Sequence, residues 1–233
     1  MVTFRKHPLV EGEIYHIYNK SISGYKIFNS YYDYSRMRQL FVYYSCVRKK
    51  KFSEWEREKR KKKKLNERLG IEEKFVDIIA YCIMPTHIHL ILKQKKEKGI
   101  SIFMSQISNS YAKYFNLKHK RKGPLWEGEF KNILISNEEQ LLHLTRYIHL
   151  NPVTAGLVEK PQDWEFSSYR EYLNEIKDER ICDFKELLDI DPVSYKKFTE
   201  DRISYQKELA KIKHLLLEKP ITPGGCVNEV SVI

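Results

Sequence analysis

The sequence predicts an α+β fold, a central antiparallel sheet with helices packed on it, followed by a helical C-terminal extension. Three observations carry this. Strand and helix signals run in the order β, α, β-hairpin, α, β, α, not in the strict alternation of a parallel sheet. Two apolar runs, FVDIIAYCI and HIHLILK, are separated by little more than Met84-Pro85-Thr86, the pattern of a hairpin at the centre of a sheet. Hydrophobic residues make up 42% of 233, enough for one domain with a sizeable core. On this reading the helices cover one face of the sheet.

The elements follow in chain order. A strand falls at about 13–19, followed by a turn at Gly24 and an extended return to Phe28. Asn29 and Ser30 offer caps for a helix through YYDYSRMRQLFVYYS, where Met37, Leu40, Phe41 and Tyr44 keep helical spacing. Residues 48–64 hold eleven Lys or Arg against three Glu, so 48–68 reads as a basic insertion, a solvated helix extension or loop. After the hairpin, a helix from Ser101 places Met104, Ile107, Tyr111 and Tyr114 near one face. The loop HKRKGPL leads to Trp126, and FKNILIS reads as the last strand. Asn137 opens a further helix, with Gln140 three residues on and Glu138 and Glu139 at its positive end. That helix should stop at Asn151, because proline disfavours helical geometry in the residue before it. DWEFSSYREYL and charged helical stretches follow to about Glu218. The expected division is a domain at 1–175, a helical extension at 176–218 and a loose tail at 219–233.

Lys and Arg number 42 against 31 Asp and Glu, a net +11. Such an excess favours polyanions, nucleic acid first and anionic membrane second. Cys46, Cys82, Cys182 and Cys226 form no C-x-x-C pair, which argues against a disulfide framework and a zinc knuckle. The N-terminus lacks the apolar core of a signal peptide and no stretch approaches a membrane span, so a cytoplasmic protein is expected.

His87-Ile88-His89 is the first candidate for chemistry. On a strand, residues i and i+2 share a face, so both imidazoles can bind one ion while Ile88 and Leu90 face the core. An apolar strand has no packing reason to carry two polar rings on one side. A third donor can come from the helix at 137–151. There Tyr147 and Asn151 sit one turn apart on one face, with His143 one turn before Tyr147 as a rival base or ligand. Lys118, Lys120, Arg121 and Lys122 could track a phosphate backbone, as could Lys61, Lys62 and Lys63 of the basic block. Trp126 could stack a base.

At this point the residues carry a resemblance. MPTHIHLIL resembles the HUH motif of single-tyrosine transposases, and RYIHLNPVTAGLV resembles their tyrosine helix and its exit. PLWEGEF and DWEFSSYREY are similar to the flanking segments of the REP-associated branch, and the likeness covers roughly residues 10–173. It implies a ferredoxin-like core, a homodimer, and a DNA transposase that nicks and joins single-stranded or hairpin DNA. It makes His87 and His89 metal ligands, Asn151 a third polar ligand, and Tyr147 the nucleophile forming a 5′-phosphotyrosine. The cofactor expected is Mg²⁺, with two imidazoles favouring tolerance of Mn²⁺. Two other readings fit the residues: a non-catalytic nucleic-acid-binding protein, and a metal-dependent phosphodiester hydrolase with no covalent intermediate. The insertion at 48–68 and residues 180–233 depart from the family pattern.

Overall fold

The computed structural model describes residues 8–48, 51–61, 73–176 and 180–208, with the backbone alone at 58–61. Among the described residues the strands and α-helices are β1 (Ile14–Lys20), α1 (Tyr31–Tyr44), α2 (Phe52–Lys61), β2 (Val76–Met84), β3 (His87–Gln94), α3 (Gly99–Lys118), β4 (Lys131–Ile135), α4 (Glu138–Thr154), α5 (Tyr169–Tyr172) and α6 (Pro192–Glu200). The four strands form one sheet in the order β2-β3-β1-β4, with every pairing antiparallel. With α1 and α3 as the intervening helices, the βαββαβ part of the chain is ferredoxin-like. The α+β class is as the sequence predicts.

The helices do not share one face. Strand alternation sends Tyr15, Ile17, Ile88, Leu90 and Leu92 to one side, where they join Met37, Phe41, Phe103 and Ile107 of α1 and α3 in the larger core. Ile91, Ala80, Cys82 and Ile135 point the other way and pack against Leu141 and Ile148 of α4. The expectation of one covered face is therefore corrected. The strands are apolar on both sides, and each apolar side needs a layer to bury it.

The hairpin is not central in the way its composition suggests. β3 is central, but β2 is an edge strand, although all nine of its residues are buried. The segment after α4 covers that edge. Ile83 N–H donates to the Phe166 carbonyl at 2.9 Å, and the Ser168 N–H to the Tyr81 carbonyl at 2.9 Å. The Trp164 indole and the Tyr172 hydroxyl bond the carbonyls of Ile83 and Ile79. A fully buried edge is possible because its backbone groups are paired in this way.

α1 begins where its sequence signals it. The Asp33 carboxylate accepts the backbone N–H groups of Asn29 and Ser30 at 3.1 and 3.0 Å, satisfying orphan donors of the first turn. Asp33 also takes bonds from Tyr114 and Lys118 of α3, tying the two helices together. α2 lies within the basic block. Phe52 and Trp55 bury against Tyr43, and Arg36 pairs with Glu56 at 2.9 Å. α4 starts as expected, with the Asn137 side chain accepting the Gln140 N–H at 2.8 Å. It does not stop at Asn151. Pro152 and Val153 are buried on the core side, and that packing overrides the local bias against helix before proline. The helix ends at Thr154 and is closed by Gly156 (φ +67°), where Gly156 and Leu157 N–H groups bond the carbonyls of Val153 and Pro152.

Phe184, Leu188 and Tyr195 bury in the α4-side core, so residues 180–200 pack on the domain. No described helix is long and apolar enough to cross a membrane.

Candidate active site

The site forms on the α4 side of the sheet, at the end where β2 turns into β3. His87 and His89 project to one face, as alternation requires, with ring centroids 4.9 Å apart. Tyr147 of α4 comes over them, its ring 6.0 Å from His89 and nearly perpendicular to it. The tyrosine is 43% exposed.

His16, on the neighbouring strand β1, completes this cluster and is not singled out by sequence reasoning. Its Nε2 lies 3.0 Å from His89 Nδ1, and its ring is 6.5 Å from Tyr147. Tyr18, two residues on, lies on the same face and pairs in register with His89. A signal existed in principle: β1 places an imidazole between Tyr15 and Ile17, both of which face the core. Using it requires knowing that β1 pairs with β3.

Burial controls the charge of these rings. It pushes His16 down to about 4, and burial reinforced by Lys20 does the same to His87. His89 is held well below the ordinary histidine range, first by burial and then by His16, His87 and Lys20. All three are neutral at pH 7, the form in which imidazole offers a lone pair to a metal. Burial, followed by Tyr18, raises Tyr147 above an ordinary phenol, so it is protonated at neutral pH.

Two neutral imidazoles on one face are donors of the kind a divalent ion accepts. His87 Nδ1 is engaged by the Thr86 hydroxyl at 2.9 Å and His89 Nδ1 by His16, which leaves Nε2 on each as the candidate donor. Among the described residues no three His, Cys, Asp or Glu side chains are placed to hold one ion. Any third protein donor would be of another kind. Asn151, one turn after Tyr147, has a buried amide nitrogen with no hydrogen-bond partner, and amide oxygen and nitrogen are interchangeable by a flip.

The other predicted residues divide. His143 is not in the cluster: its Nδ1 contacts Arg146 at 2.8 Å and its ring faces Phe198 of α6. Lys118 is bound to Asp33 at 2.6 Å. Arg121 bonds Asn116 and the Pro124 carbonyl. Trp126 is buried against Tyr111 with its indole on the Ser108 carbonyl, leaving no open face for a base. Lys120 and Lys122 are exposed. Their loop is joined to the site, because Ser21 and Ile22 donate to the carbonyls of Thr86 and Leu125. Lys20, exposed at the end of β1 and paired in register with His87, is a cation that sequence reasoning passed over. Lys61 is described by its backbone alone, and Lys62 and Lys63 lie outside the described residues.

The family described as "Transposase IS200 like" matches residues 33–151. A Haemophilus influenzae protein assigned to the REP-associated tyrosine transposases is 28% identical over 103 residues, covering 40% of this chain and 58% of that one. The REP-associated tyrosine transposase of Escherichia coli K12 is 28% identical over 94 residues, 40% of this chain and 54% of its own. The chain thus spans little more than half the length of the curated relatives it matches. A solved structure of a REP-associated tyrosine transposase bound to a REP hairpin aligns over 82% of this chain and 99% of that one, with 18% identity and a TM-score of 0.49.

Proposed function

Since this chain belongs to the IS200-like transposase family, we propose that it cuts and rejoins single-stranded DNA beside hairpins, with Tyr147 as nucleophile. The observation that carries the reading is the approach of the Tyr147 ring to His89, 6.0 Å away within one chain. The same approach supports use of the tyrosine in its own subunit, including within the homodimer expected of the family.

In the proposed step the Tyr147 oxygen attacks a backbone phosphorus. A Tyr–O–P bond forms, the P–O3′ bond breaks, and the fragments are a 5′-phosphotyrosine and a free 3′-OH. Reversal by another 3′-OH rejoins strands without ATP, because the bond energy is kept in the phosphotyrosine. The phenol begins protonated, and its proton passes to water or the substrate phosphate, since His143 is held by Arg146. His87, His89 and Asn151 would hold Mg²⁺ or Mn²⁺. When bound, that ion supplies charge stabilisation to the phosphoryl oxygens. Lys20, Lys120 and Lys122 would meet the flanking phosphates.

The test is incubation with labelled hairpin DNA and Mn²⁺, followed by SDS gel electrophoresis. Wild type should yield a covalent adduct that Tyr147→Phe does not form. Cleavage without an adduct would support hydrolysis instead, and an adduct in Tyr147→Phe would move the nucleophile elsewhere.

A further inference from the structure

His16 reaches His89 across the sheet within hydrogen-bond distance. The two rings are nearly parallel, 15° apart with centroids at 5.2 Å, and their nitrogens are 3.0 Å apart. They stand on adjacent strands. His89 lies opposite Tyr18, so His16 is its diagonal neighbour on the same face. Both are buried, at 5% and 7% exposure, so water does not compete for the contact.

Two neutral imidazoles sharing one such contact have two arrangements. In one, His16 donates and His89 keeps a proton on Nε2, which then cannot bind a cation. In the other, His89 donates from Nδ1 and its Nε2 carries a lone pair. His87 presents its own Nε2 in the same way when its Nδ1–H donates to the Thr86 hydroxyl, and the second arrangement then gives two matched donors. We propose that His16 is a positioning residue: its Nε2 accepts the Nδ1–H of His89 and fixes His89 in the tautomer that can ligate a cation through Nε2. This rests on the cation-binding part of the proposed function. Outer partners of this kind orient ligating histidines and raise their basicity.

Two measurements on the full chain decide it. Long-range ¹H–¹⁵N spectra of the metal-free, ¹⁵N-histidine-labelled protein at pH 7.5 should show His89 as the Nδ1–H tautomer in wild type. Titration calorimetry with Mn²⁺ should show His16→Phe binding roughly 10–100-fold more weakly. His16→Gln, which restores an acceptor oxygen, should recover most of that loss. An Nε2–H tautomer in wild type, or His16→Phe binding Mn²⁺ as wild type does, overturns the proposal. If His16→Phe does not fold, the wild-type spectrum and His16→Gln still decide. If wild type binds no Mn²⁺, the cation-binding reading falls, and the tautomer spectrum alone decides what His16 does.

Discussion

Burial keeps His16, His87, His89 and His149 neutral, and it has a measurable cost in acid. His149 is wholly enclosed, its Nδ1 2.7 Å from the Tyr195 hydroxyl and its Nε2 2.8 Å from that of Ser168, and burial pushes it down to about 3. His16 and His87 are depressed to about 4. The unfolded chain takes up protons near pH 6.5, before the folded chain does, so stability rises with pH across this interval. It is complete above about pH 6.5 and is lost as pH falls toward 4. Thermal midpoints of the metal-free protein should fall progressively from pH 7 to 4.5, and a flat profile would contradict the burial. His149→Phe should cost about 1–3 kcal/mol in chemical denaturation, because it removes the buried bonds to the Tyr195 and Ser168 hydroxyls. Sequence reading fares unevenly at this scale. His87 and His89 are legible because they sit on one strand, where a two-residue spacing fixes their common face. His16 is not, because its meaning depends on a pairing 73 residues away. Trp126 is misjudged for a related reason: aromatic character suggests stacking, and nothing local reveals that its ring is enclosed by Tyr111.

Individual elements are bound by contacts that local patterns announce only in part. The capping residues of α1 and α4 are visible in sequence, and both helices begin there. The end of α4 is not, since Pro152 is tolerated through burial on a face that tertiary packing creates. α6 holds α4 from outside: Tyr195 bonds His149, and Arg146 stacks 4.0 Å above the Phe198 ring and bonds the Phe198 carbonyl. The helix bearing Tyr147 is thus braced by residues some 50 positions later. Tyr195→Ala should destabilise by about 3–5 kcal/mol, the range for truncating a fully buried aromatic, measured by urea denaturation. A loss under 1 kcal/mol would mean that α6 does not brace the domain. At the start of α3, a Cβ on Gly99 would overlap the Phe75 carbonyl oxygen. Gly99→Ala should therefore destabilise by about 1–3 kcal/mol, although alanine is intrinsically the better helix former. Stabilisation by that variant would contradict the close approach.

Over the whole molecule, the α+β class follows from element order and hydrophobic runs, and the place of β2 at the edge of the sheet does not. The two-sided covering and the sealing of the β2 edge by residues 164–172 do not. Those features are set by which backbone groups need partners once the sheet assembles, a global condition with no local signature. The sheet separates the molecule into a structural side, with α1 and α3, and a chemical side, where His16, His87, His89 and Tyr147 converge. Net charge also belongs to this scale. With +11 overall and exposed lysines at the site's end of the sheet, affinity for single-stranded DNA should fall roughly 10- to 100-fold between 50 and 200 mM salt, as expected for about three to five phosphate contacts. Fluorescence anisotropy would measure it, and salt-independent binding would contradict a phosphate-led interface. The central claim, that Tyr147 attacks phosphorus and keeps the 5′ end, is tested most directly by labelling each end of the cut strand separately. DNA labelled at its 3′ end should remain on the protein through SDS, with the modified peptide containing Tyr147. DNA labelled at its 5′ end should leave as a fragment with a free 3′-OH. Retention of the 5′ label, or modification of any other tyrosine, would contradict the account.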